Sequence, residues 1–188
     1  MRDIIPENEL EFAFTSVEVA AKALATVMRG GNMVAGIVLM PDPAAPGQYV
    51  GDVVVDLRSQ DGPWFDFAAV CARVRLHRWL HDDRPLIEMG KRDRETYRRE
   101  LIYALESTGV DEILRENWQQ NIGLLVIEVE SVWTTILSVA DWLAAIAVGQ
   151  PGGAPSEEQL IEMVDECAPA CAELMHRLPD VRKWCLPD

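Results

Sequence analysis

Only two stretches of this chain read as strands, and they are neighbours. Met33 to Met40 is a short apolar run with Val34, Ile37 and Val38, and Tyr49 to Leu57 is a second, with Val53, Val54 and Val55. Aliphatic and β-branched runs of this length, bounded by turn residues, suit buried strands. Pro41 to Gly47 lies between them with three prolines and a glycine, which predicts a loop. Two strands adjacent in sequence most simply make an antiparallel pair. Helical patterns flank them on both sides with no alternation of strand and helix. The fold class expected is therefore α+β with segregated elements: an N-terminal helix, a short antiparallel β-hairpin, then a mainly helical C-terminal half.

The first helix is expected over 15–29, where Val17, Ala20, Ala21, Leu24, Val27 and Met28 recur at helical spacing and Gly30-Gly31 supplies a stop. After the hairpin, helices are expected over 64–81, 92–107, 110–149 with a break near Gly123, and 156–178. Ser156-Glu157-Glu158-Gln159 reads as a capping box opening the last of these. Within 129–140, Val129, Val132, Trp133, Ile136, Leu137 and Ala140 form one face, opposite Ser131, Thr134, Thr135 and Ser138. The apolar segment Ile122 to Val148 is interrupted by Glu128, Glu130 and Asp141, so with that two-faced pattern it reads as a long amphipathic core helix and not a membrane span. The 188 residues suffice for one domain, expected over 1–178, with a tail over 179–188.

The net charge is −14, from 17 Lys+Arg and 31 Asp+Glu. A surface that acidic gives direct binding to nucleic acid or to an anionic membrane no electrostatic support. Four cysteines make no disulfide framework, and the opening residues lack the apolar core of a signal peptide, so a reducing cytoplasmic setting is expected. The charge is unevenly placed. Glu116 to His176 holds ten acids and no Lys or Arg, whereas Arg73 to Arg99 holds nine Lys and Arg against five acids. Two readings follow: the basic middle pairs with the acidic half inside the fold, or the acidic half faces a cationic partner.

The order of elements and several local phrases resemble the peptidase domain of FtsH-type zinc metallopeptidases and its small stand-alone relatives. Glu18 to Gly31 has the spacing and apolar pattern of the helix that carries H-E-x-x-H in that family. Gly90-Lys91-Arg92-Asp93 looks like its Gly-x-x-Asp segment, with Asp93 at the third-ligand position. Glu130 to Leu143 and Pro155 to Val164 resemble its later helices, so the likeness spans roughly 12–165. In the family the two histidines one turn apart bind zinc and the intervening glutamate activates the bound water. Here those positions hold Glu18, Lys22 and Val19. An ammonium repels a divalent cation, and valine accepts no proton. The resemblance therefore implies a scaffold without its metal, with no catalytic residue and no cofactor. Glu18 and Lys22 would form an i, i+4 ion pair. Thr15-Ser16-Val17-Glu18 also reads as a capping box.

A relocated zinc site has one candidate ligand set: His77 and His81, one turn apart, and Cys167 and Cys171, one turn apart. The bland reading makes the cysteines small packing residues and the histidines part of a polar face. Of six tryptophans, Trp133 is expected in the core and Trp184, in the tail, at an interface. The leading expectation is a non-catalytic protein-binding module. Its partner would present a basic surface to Glu157, Glu158, Glu162 and Glu166. The alternative is an acidic inhibitor that mimics nucleic acid, of the kind phage or mobile elements carry. A second alternative is a hydrolase with a relocated metal.

Overall fold

The structure is a computed structural model that describes residues 7–29, 33–56, 62–81, 126, 129–149 and 152–185. Its elements in order are α1 (Glu7–Arg29), β1 (Met33–Pro41), β2 (Tyr49–Asp56), α2 (Gly62–His81), α3 (Glu130–Ala147) and α4 (Glu157–Cys185). The helix, hairpin and helical C-terminal half make the chain α+β, as its sequence order implies. The helix expected over 92–107, the glycine break near Gly123 and the Gly-x-x-Asp segment with Asp93 lie outside the described residues.

α1 is the centre of the arrangement and packs against each of the other described elements. Its composition explains why. Ala20, Ala21, Ala23 and Ala25 are all buried, and side chains this small let the hairpin and three helices approach one cylinder from different sides. Phe14, Val17 and Leu24 supply bulk between them. The helix starts eight residues before the expected Thr15, because Glu7 to Phe14 contains no breaker and Phe14 extends the apolar stripe. Thr15 is consequently interior: its hydroxyl donates back to the Glu11 carbonyl at 2.9 Å and caps nothing.

β1 and β2 pair antiparallel, with Ile37 opposite Val53, Val38 opposite Asp52 and Met40 opposite Val50; the register shifts between Val34 and Gly36. The connecting turn closes on its own groups. The Asp42 amide donates to the Gln48 carbonyl, the Ala44 amide donates to the Asp42 carboxylate, and Gly47 takes φ +87°. Only glycine adopts that angle without strain.

α3 buries Val132, Trp133, Ile136, Val139, Ala140 and Leu143, and leaves Thr134 and Ser138 exposed, the two faces its sequence pattern implies. It is preceded by an extended residue, Val129 (φ −92°, ψ 111°), so the expected long helix is interrupted there. α4 opens with the expected capping box: the Gln159 amide donates to Ser156 Oγ at 3.3 Å, and the Ser156 amide donates to Gln159 Oε1 at 2.8 Å. At its other end the helix runs on through Pro179 to Cys185 instead of stopping at 178, so Trp184 lies on α4. Proline removes one N–H and clashes with the preceding turn, so the helix continues past Pro179 without one of its hydrogen bonds. No helix among the described residues is long and apolar enough to cross a membrane.

Candidate functional site

The face of α1 that carries Glu18, Val19 and Lys22 is engaged at each of the three positions. Glu18 accepts a hydrogen bond at 3.0 Å from Arg73 of α2. Arg73 also reaches Glu11, at 3.3 Å to both carboxylate oxygens, and its guanidinium lies 4.5 Å from the Phe14 ring centroid. Burial pushes the Glu18 carboxyl above its ordinary range, opposed by the Arg73 hydrogen bond and charge. Burial by itself would lower the Arg73 pKa, yet Glu18 and Glu11 hold it above the usual value. Lys22 crosses to β2 and donates to Asp52 at 2.9 Å, which keeps the Asp52 carboxyl below its ordinary range. The i, i+4 reading therefore omits the main partners of both residues, which come from α2 and β2.

Val19, at the position of the catalytic base in the resembled family, is 1% exposed. It packs against the backbone of Gly51. A Cβ built on Gly51 would stand 2.4 Å from Val19 Cγ2, 3.2 Å from Leu39 Cδ1 and 3.3 Å from Thr15 Cγ2. The strand thus crosses this turn of α1 in direct contact. Gly51→Ala should cost about 1–3 kcal/mol by overpacking. Urea unfolding of Gly51→Ala with and without Val19→Ala checks the contact. The double variant should recover part of the loss, whereas additive losses would show that the two residues do not share this space.

The candidate zinc ligands do not assemble among the described residues. His77 is exposed on α2, whereas Cys167 is buried and Cys171 half-buried on α4; the His81 side chain lies outside the described residues. Each of these helices packs on α1. No group of three or more His, Cys, Asp or Glu able to hold a metal occurs among the described residues. The cysteines themselves sit close together. Cys167 Sγ lies 3.4 Å from Thr135 Oγ1 of α3 and donates to the Met163 carbonyl at 3.3 Å. Burial, and then the neighbouring Cys167, raise the Cys171 thiol.

No family model, curated protein or solved structure matches the chain. What its surface can do therefore rests on its own residues.

Two surfaces stand out. The first is the outer face of the hairpin, where Val38, Met40, Val50 and Val54 are 39–53% exposed. The strands had the continuous apolar composition of elements buried on both sides. Among the described elements, α1 packs on both strands and α3 and α4 pack at β1, and Val53 enters the core with Ile37 and Leu39 packed against it. The two-residue period was available in the sequence, since Val38 and Met40 alternate along one strand and Val50, Asp52 and Val54 along the other. Nothing in that period says which face is left open. The second surface is α4, where Glu158, Glu162, Asp165, Glu166 and Glu173 are exposed and, among the described residues, no cation pairs with them. Glu157, expected to be exposed, is half-buried in the first turn. Trp184 lies on α4, and its side chain is outside the described residues.

One feature the sequence did not single out is Arg75. It is 7% exposed, donates to the Val126 carbonyl at 2.9 Å and to Glu130 at 2.6 Å, and its guanidinium lies 4.8 Å from the Trp133 ring centroid. It is one pairing of the basic middle with the acidic half. Arg73, two residues earlier, pairs with α1 instead.

Proposed function

We propose that this chain is a non-catalytic protein-binding module, on a scaffold resembling a metallopeptidase domain without its metal ligands. The observation that carries the reading is the outer face of the hairpin: four exposed aliphatic side chains on two paired strands, a surface type that marks protein contacts. The partner that suits it is a basic amphipathic segment. Its apolar side covers Val38, Met40, Val50 and Val54, and its cations complement a chain of net charge −14. The carboxylates of α4 steer such a segment and set its association rate. Against catalysis stands the engagement of Glu18, Val19 and Lys22 in ion pairs and packing.

The test is a titration of the full chain with a synthetic helical Leu/Lys peptide, followed by calorimetry at low and moderate salt. Val54→Asp should weaken binding about tenfold or more while shifting stability by less than about 0.5 kcal/mol, as exposed substitutions do. Glu157, Glu158, Glu162 and Glu166 changed together to Gln should weaken it less, and mainly at low salt. Unchanged affinity in both variants overturns the reading. The second reading, an acidic mimic of nucleic acid, draws on the row of exposed carboxylates along α4. It predicts the reverse order: loss in the Glu→Gln variant and none in Val54→Asp.

A further inference from the structure

We infer that Cys167 and Cys171 form a two-thiolate site for a soft monovalent metal ion of the Cu(I) class. The two residues are one helical turn apart on α4 and therefore share a face. Cys167 is 3% exposed and Cys171 is half-buried, so the inner sulfur is shielded while the outer one gives an entry path. The flanking Ala168 and Ala172 are exposed and carry only methyl groups. Pro169 lies between them and has no N–H for the Asp165 carbonyl, so the turn that must adjust to bring the sulfurs together lacks one helical hydrogen bond.

The donor set selects the ion. Zinc takes four ligands in a closed site. No third His, Cys, Asp or Glu joins the two thiols among the described residues. Sulfur ligands favour Cu(I), a closed-shell ion that accepts two-coordinate, nearly linear bis-thiolate binding. Thr135 supplies the outer contact. Its hydroxyl donates to the Ser131 carbonyl at 2.8 Å in the thiol form and lies 3.4 Å from Cys167 Sγ, within reach to donate to a metal-bound thiolate. Binding replaces two S–H protons by one cation, so two protons leave and the site gains one negative charge. Because binding displaces two protons, metal capture competes with protons and strengthens as pH rises.

The experiment uses the reduced full chain under argon, titrated with Cu(I) held by a coloured chelator that reports how much metal the protein withdraws. One equivalent per chain is expected, with sulfur-only scattering in X-ray absorption. Withdrawal should fall at lower pH. Cys171→Ala, at a half-buried position where circular dichroism should show the fold retained, should abolish withdrawal. Cys167→Ser should do the same. Thr135→Val should weaken it about tenfold, and Cys71→Ser, at a buried thiol on α2, should leave it unchanged. If Cys171→Ala withdraws the same equivalent as the parent chain, or if Cys71→Ser removes it, the assignment is wrong.

Discussion

Trp133→Ala should destabilise the protein by about 3–5 kcal/mol, the range for emptying a large aromatic site in a packed core. Trp133 is 1% exposed and lies on the face of α3 that turns inward with Ile136 and Val139, both 0% exposed. Its indole N–H makes no hydrogen bond among the described residues. The residue therefore acts through volume and ring surface. Trp133→Phe, which keeps an aromatic face and deletes an unsatisfied donor, should consequently cost less than half as much as Trp133→Ala. Urea unfolding of the two variants decides it. Equal losses would mean that the indole nitrogen has a partner, and no loss in Trp133→Ala would remove α3 from the core.

Arg75→Ala should cost about 2–3 kcal/mol, from lost packing of the side-chain stem and from a carbonyl left without its donor. Glu130, the ionic partner, has a side chain 71% exposed, so the ion pair itself contributes little. The effect comes from the Val126 carbonyl and the Trp133 ring. The extended residue Val129 interrupts the chain between Val126 and α3, and Arg75 binds on both sides of that interruption. Arg75→Met, which keeps the aliphatic stem and loses the donors, should recover about half of the loss. Glu130→Gln should change stability by less than about 0.5 kcal/mol. Melting of the three variants separates packing from charge, and a Glu130→Gln loss as large as that of Arg75→Ala would make the ion pair the principal contact.

The proposed binding face and the residues that stabilise the fold lie in different places. The residues whose truncation should unfold it surround α1, whereas the exposed aliphatic residues of β1 and β2 are free to change without that penalty. A scaffold built this way can vary its hairpin face while its core stays constant. Glu18 and Lys22 tie α1 to α2 and β2 at the edge of that core, because each pairs with a charge on a neighbouring element.

The elements that depend on local chemistry were legible in the sequence. The hairpin follows from two apolar runs around a proline-rich turn, the start of α4 from Ser156 and Gln159, and the two faces of α3 from a 3.6-residue period. These signals act within a few residues, so they survive without knowledge of what lies opposite. The ends of α1 and α4 were less legible: Thr15 offered a cap it does not make, and Pro179 a stop the helix passes through. The fates of Glu18, Val19, Lys22 and Arg75 could be settled only by the tertiary structure. Their partners stand 30 to 55 residues away for Lys22 with Asp52, Glu18 with Arg73 and Arg75 with Glu130. A charge or an aliphatic side chain carries no local mark of which distant surface will meet it. The open face of the hairpin was decided in the same way, because burial of one side of a sheet is a property of what packs on it and the strand's own alternation cannot name the side.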